Sequence, residues 1–329
     1  MTGKIVTVFG GSGFVGRQVV RALCKSGWRV RVAMRRPHLG GDLRLAGDVG
    51  QVQLVQANVR NRPSIKRALE GADAAVNLVG ILVERGAQSF QGTQALGAQN
   101  IAQLAAEAGI SRFVYMSSIG ADKTSRANYA RTKAAAEAST LEFIPTATIL
   151  RPSIVFGPED GFFTRFAEMA RLTPVLPVIG GSTKFQPVYG GDVANALAAA
   201  LDRPEAQGKI FELGGPRIYT MRQLLEFITA EINRPRMLLP IPLVAAGPIG
   251  YTIGALSRLN PIFGPPLTGD QVQMLKHDNV ASAKRPGLAE LGVAAPVSVE
   301  SFVPTYLWRH RPLGQFQAPR VDEISRVDA

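Results

Sequence analysis

Short runs of β-branched and other apolar residues alternate with longer stretches of helical periodicity through the first half of the chain. Ile5–Phe9, Arg29–Ala33, Val52–Gln56, Ala74–Leu78, Arg112–Met116 and Thr146–Leu150 have the pattern of strands. Between them Gly13–Ser26, Ser64–Glu70, Thr93–Ala108 and Ala127–Leu141 repeat apolar positions at helical spacing, with Gly27 and Gly109 where helix C-caps are expected. Parallel strands cannot be joined by tight turns, so this alternation predicts an α/β fold with crossover helices. The expectation is a Rossmann-type doubly wound parallel sheet of six strands.

Beyond Gly157 the composition shifts toward Pro and Gly, with Pro158, Pro174, Pro177 and Gly180–Gly181 breaking the pattern. Asp192–Leu201 then reads as a helix and Lys209–Leu213 as a strand closed by Gly214–Gly215–Pro216, which returns the chain to the sheet. The organisation expected is a nucleotide-binding domain over 1–157 with 188–215 returning to it. A smaller, mostly helical C-terminal lobe takes 158–187 and 216–305. The tail 306–329 has no clear period, and reads as an extended arm that orders on a partner, or as a frayed end.

Met237–Ile262 has nearly the length of a membrane span, but Pro240, Pro242 and Pro248 interrupt it and Arg258 falls near its end. A spanning helix is not expected. Ala245, Ile249, Thr252, Leu256 and Leu259 fall on one helical face, suited to a bilayer surface, a partner, or the protein's own cleft.

Composition narrows the chemistry. The single cysteine, Cys24, excludes an intramolecular disulfide framework, and His38, His277 and His310 have no metal-ligand spacing, so no metal centre is expected. A net charge of +12 favours anionic surfaces in general. No recognition-helix, zinc-finger or stacking-aromatic motif accompanies the basic residues, so nucleic acid is not an expected partner. Lys4–Gly10 follows Met1 directly and leaves no room for a signal or transit peptide, as in a protein kept in a bacterial cytoplasm or a sequence from which a targeting segment is absent.

The strongest motif is Gly10-Gly11-Ser12-Gly13-Phe14-Val15-Gly16, because it leaves an expected strand and opens an expected helix. Glycines at 10, 13 and 16 allow the tight turn, close backbone approach to a pyrophosphate, and close helix packing; the N–H groups of Phe14 and Val15 would face the phosphates. An NAD-specific site would place an acidic residue about twenty residues after the last glycine. Arg35 and Arg36 stand there instead, and guanidinium groups suit a 2′-phosphate, with Arg17 able to approach the same group; the alternative is a set of solvated surface cations. The dinucleotide expected is therefore NADP(H). Asn58 and Val59 fall where the adenine edge would lie, Val79 and Gly80 under the ribose, and Pro152, Ser153 and Val155 beside the nicotinamide.

Tyr129 and Lys133 stand one helical turn apart on the helix after the fifth strand. A lysine beside a phenol lowers its pKa and makes a general acid/base, while the same lysine can serve only to hold the nicotinamide ribose.

Together these residues resemble the extended, atypical branch of the short-chain dehydrogenase/reductase family. The likeness rests on the glycine motif, Tyr129-x-x-x-Lys133, Arg151–Gly157, Gln186–Tyr189 with Asp192–Ala194, and Phe211–Pro216. In active members a hydroxyl after the fifth strand assists the tyrosine; in Met116-Ser117-Ser118-Ile119-Gly120 its position falls nearer Ile119 than Ser118. Within that branch the chain is similar to the NADPH-binding accessory subunits of respiratory complex I, on Tyr115–Ser118, Ser125–Lys133, Phe156–Phe163, Gln186–Tyr189 and Leu238–Leu243. That resemblance implies a structural nucleotide and other complex I subunits as partners. It also implies a peripheral location on the cytoplasmic face of a bacterial inner membrane, or on the matrix side if mitochondrial. Met237–Ile262 would face the membrane domain or lipid, and the tail would cross neighbouring subunits. A free NADPH-dependent reductase or isomerase, with Tyr129 as proton donor, Lys133 as ribose anchor and Ser117 or Ser118 as oxyanion donor, is the alternative.

Overall fold

The computed structural model describes residues 3–242 and 268–317, which fall into two compact units. The first comprises Met1–Pro152, Gly190–Leu213 and Ala281–Pro296. Its elements run β1 (Ile5–Phe9), α1 (Phe14–Lys25), β2 (Arg29–Met34), β3 (Val52–Gln56), α2 (Arg62–Leu69), β4 (Ala74–Asn77), α3 (Leu96–Glu107), β5 (Arg112–Met116), α4 (Asn128–Phe143) and β6 (Thr148–Pro152). A helix at Gly190–Asp202 and a strand at Ile210–Leu213 complete it.

Seven strands form one sheet in the order Ile210–Leu213, β6, β5, β4, β1, β2, β3, and every neighbouring pair is parallel. This is the doubly wound arrangement expected. Strand order reverses between β1 and β4, which opens the crevice at their carboxyl ends where such sheets take ligands. Burial on both faces explains why the strands read as near-continuous apolar runs. Phe9, Ile65, Leu69, Ile101, Phe113, Tyr115 and Ile149 are among the core residues that fix the sheet against its helices.

Two local expectations are corrected here. The sixth strand begins at Thr148 rather than Thr146, because Ala147 N–H closes a turn onto Ile144 and Thr146 O accepts from Gly208 N–H. The helix expected from Thr93 starts as a π-helical turn over Phe90–Ala95 and becomes α-helical only at Leu96. Ala281–Pro296 joins this unit through Glu212, whose carboxylate accepts from Ser282 N–H at 2.8 Å and pairs with Arg285 at 3.3 Å.

The second unit comprises Ser153–Tyr189, Gly214–Val280 and Val297–Ala329. Helices Phe163–Leu172, Met221–Glu231 and Pro304–Leu307 share a core built on Phe156, Phe163, Leu224, Ile228 and Leu307. Met237–Ile241 is a strand paired in parallel with Val175–Ile179, so the apolar segment starts extended rather than helical. Ala245, Ile249, Thr252, Leu256 and Leu259 lie outside the described residues. The tail departs from the extended arm expected. Up to Gln317 it is held in short helical turns by buried polar partners: Tyr306 Oη donates to Asp160 Oδ2 at 2.6 Å, and buried Arg311 pairs with buried Glu231. Residues 318–329 lie outside the described residues.

Candidate nucleotide site

The glycine corner is built by three separate constraints. Gly10 sits at φ +82°, and a Cβ there would lie 3.1 Å from the Leu78 carbonyl carbon. Gly13 is the N-cap of α1, makes no side-chain cap, and donates its N–H to Gly10 O at 3.1 Å. A Cβ on Gly16 would lie 2.3 Å from Gly10 O, so α1 can approach β1 this closely only with glycine there. The first turn of α1 carries Phe14 and Val15 N–H groups that no intrahelical carbonyl can satisfy, and that turn contains no acidic residue. That end of the helix suits phosphate.

A cleft of about 250 Å³ opens over this corner. Gly10, Ser12, Gly13, Arg35, Asn58, Val59, Val79 and Gly80 line it, which brings together residues drawn from the ends of β1, β2, β3 and β4. Arg36, exposed, is not among the lining residues. Arg17 is instead engaged with Asp42. Three polar or charged lining residues were not singled out from the sequence: Arg60, Gln88 and Thr93. Arg60 Nη1 donates to Ala87 O and so ties the Ile81–Ser89 loop to the end of β3.

Tyr129 and Lys133 lie on α4, as the spacing requires. Lys133 is buried, and its Nζ donates to Met116 O at 2.8 Å and sits 5.2 Å from the Tyr115 ring centre. Burial pulls its pKa down to about 8, with Glu137 pulling the other way. A Cβ on Gly80 would stand 3.3 Å from Nζ, which places the ammonium beside the cleft wall. Glu137 is neutralised by a two-pronged pair with Arg151 at 2.8 and 2.6 Å.

Desolvation pushes the Tyr129 phenol up, and the Ser118 side chain beside it opposes the rise. Phe90 meets the ring edge-on at 6.1 Å, and buried Gln94 donates to Tyr129 O at 3.2 Å and Thr132 Oγ1 at 2.9 Å. The π-helical turn therefore braces the tyrosine by its ring and by its backbone. Ser117 is buried, and its hydroxyl has no partner among the described residues. Ile119 is buried, so the position expected for an assisting hydroxyl holds packed hydrocarbon.

Pro152 ends β6 and accepts the Ile119 N–H at 3.0 Å. Ser153 and Val155 belong to the second unit: the Ser153 hydroxyl donates to Asn279 Oδ1 at 2.6 Å, and Val155 pairs with Val188. Among the described residues no group of three His, Cys, Asp or Glu could hold a metal ion. A dinucleotide fits what is present: open helix N–H groups, a cradle that side chains would fill, and an unpartnered Thr93 hydroxyl on the cleft wall.

The parallel sheet, its glycine corner and this cleft define a Rossmann-type protein with a nucleotide-shaped site. Residues 6–214 match the NAD dependent epimerase/dehydratase family, and the chain belongs to that family. It is 34% identical over 314 residues to the NADH dehydrogenase (ubiquinone) 1 alpha subcomplex subunit 9, mitochondrial, of Rattus norvegicus, covering 94% of this chain and 81% of that protein. It is 30% identical over 265 residues to the ceramide reductase of Caulobacter vibrioides, covering 79% and 81%. The fold matches the NADPH-dependent quinone oxidoreductase of Escherichia coli solved with NADPH, at a TM-score of 0.73, 20% identity, and 92% and 99% coverage.

Proposed function

We propose that this protein is a non-catalytic NADP(H)-binding accessory subunit of respiratory complex I, in which the nucleotide stabilises the peripheral arm at the membrane. The observation that carries this reading is a likeness to a complex I subunit that runs through 94% of the chain. The open N–H groups of α1 would take the pyrophosphate, Arg35 the 2′-phosphate, Lys133 the nicotinamide ribose, and Pro152 would border the nicotinamide. A ligand that binds only the folded state stabilises it by mass action, by about 2.7 kcal/mol at a hundredfold excess over Kd. Among the described residues no helix is long and apolar enough to cross a membrane, consistent with peripheral attachment. The net charge of +12 would favour an anionic surface.

One observation favours a second reading. The Ser118 side chain stands beside the Tyr129 phenol and opposes the rise in its pKa, and a relative named as a reductase is 30% identical over 265 residues. Under that reading Tyr129 would protonate a carbonyl of a hydrophobic substrate during NADPH-dependent reduction. Native electrophoresis of membranes solubilised in mild detergent separates the two. Co-migration with NADH-oxidising activity, unchanged by Tyr129→Phe, is the expected result. A free particle that oxidises NADPH in the presence of carbonyl compounds, and stops doing so in Tyr129→Phe, overturns it.

A further inference from the structure

One wall of the cleft is formed by Asn58–Arg60 after β3, against which the start of α3, directly after the Phe90–Ala95 turn, is packed closely enough that a Cβ on Gly97 would lie 2.8 Å from Val59 Cγ2. Most hydrogen-bond acceptors on this wall are already taken. Asn58 O accepts from Asn61 N–H at 2.8 Å, and Asn58 Oδ1 accepts from Arg60 N–H at 3.1 Å. Val59 O accepts from Asn100 Nδ2 at 3.2 Å, and Ala87 O from Arg60. Gln88 is half-buried and can keep water on its amide.

Thr93 differs from all of these. It is 7% exposed and lines the cleft, and its Oγ1 has no partner among the described residues. Most threonines in helical turns return their hydroxyl to a carbonyl one turn back, as Thr132, Thr140 and Thr229 do. A buried hydroxyl left without a partner is costly, so an unpaired one facing a cleft marks a ligand contact.

We propose that Thr93 Oγ1 accepts a hydrogen bond from the exocyclic amine of the adenine ring, which makes Thr93 the base-reading residue of the site. The assignment rests on the dinucleotide reading above. Arg35 at the end of β2 and the glycine corner at the end of β1 set the ribose and pyrophosphate, which leaves the wall beyond them, after β3, for the base. Adenine presents two N–H donors at its amine. The Asn58 Oδ1 and Val59 O atoms each already accept a hydrogen bond, whereas Thr93 Oγ1 is a buried acceptor with none, and the Asn58 amide hydrogens remain to donate to ring nitrogen.

The test is a cycle of two proteins and two ligands, read by calorimetry on the full chain. The ligands are 2′,5′-ADP and its purine counterpart with hydrogen in place of the amine. Thr93→Val keeps the side-chain shape and deletes the hydroxyl; it is expected to weaken 2′,5′-ADP roughly fivefold to tenfold and the purine counterpart less than twofold. Thr93→Ser, which keeps a hydroxyl, is expected to restore the preference for the amine. Binding of both ligands with equal losses in Thr93→Val overturns the assignment while leaving the nucleotide reading intact. Binding of neither ligand to the unmodified protein overturns both.

Discussion

Lys133 Nζ lies 2.8 Å from the carbonyl oxygen of Met116, so the ammonium on α4 is fastened to the end of the fifth strand before any ligand arrives. The lysine is 3% exposed, and burial lowers its pKa from 10.5 to about 8. Holding a cation there costs stability in return for a fixed donor beside the cleft.

That cost has a defined pH window. Below about pH 8 lysine is charged in both folded and unfolded chains, and the folded state carries the full desolvation penalty. Between about 8 and 10.5 the folded lysine releases its proton first, so its contribution to stability improves as pH rises. Ligand-free Lys133→Met is therefore expected to be more stable than the parent at pH 7, by up to roughly 3 kcal/mol. The advantage should shrink toward pH 10, as read by urea unfolding at each pH. A stability difference independent of pH across this range would contradict the account.

Arg35 and Arg36 are adjacent, yet only Arg35 is among the residues lining the cleft. Arg35→Ala is expected to weaken NADPH roughly tenfold to a hundredfold while barely changing NADH, the range of a lost charge-assisted hydrogen bond. Arg36→Ala should change either by less than about threefold. Competition titrations with both nucleotides measure the pair; equal losses in the two variants would show that neither arginine acts through the 2′-phosphate alone.

The Arg60 contact with Ala87 O latches a surface loop whose residues Ile81 and Gln88 line the cleft. Removing the latch should affect departure more than entry, since mutants of one site vary mainly in off-rate. Arg60→Ala is expected to release NADPH about fivefold to tenfold faster in stopped-flow displacement, with an association rate within about twofold of the parent.

In the second unit, His310 is 4% exposed and neither ring nitrogen has a partner among the described residues. Desolvation first, then the charges of Arg171, Arg309 and Arg234, lower its pKa from 6.5 to about 4. The neutral imidazole contributes its full stability above pH 6.5. As pH falls toward 4 the unfolded chain takes up a proton that the folded chain refuses, so stability is lost. His310→Phe should flatten this loss by up to roughly 3 kcal/mol at pH 4. Thermal unfolding from pH 7 to 4 checks it. The comparison must be made against the parent, because Glu231, which pairs with Arg311, is shifted upward and works in the opposite direction.

The sheet was legible because its central strands are buried on both faces, and apolar runs such as Ile5–Phe9 and Arg112–Met116 stop where the burial stops. The glycine corner was legible because its three constraints fall within seven residues. Arg60, Gln88 and Thr93 were not, since their place on one wall depends on a loop and a π-helical turn folding back onto the end of β3. A threonine at a helix start carries no local mark of an unpaired hydroxyl. The strand at Met237–Ile241 was not legible for a different reason: a short apolar run is compatible with either period, and pairing with Val175–Ile179 decided it. The tail looked aperiodic because its first turns are held by two apolar residues, Tyr306 and Leu307, and by isolated polar contacts, Tyr306 to Asp160 and Arg311 to Glu231, rather than by a repeating apolar stripe.

The central claim is that the cleft takes a dinucleotide carrying a phosphate on its adenosine ribose. Isothermal titration of nucleotide-free protein with NADPH and with NADH measures this directly. One NADPH bound per chain, at least about tenfold tighter than NADH, is the expected result. Equal affinity for the two, or uptake of neither, would contradict it.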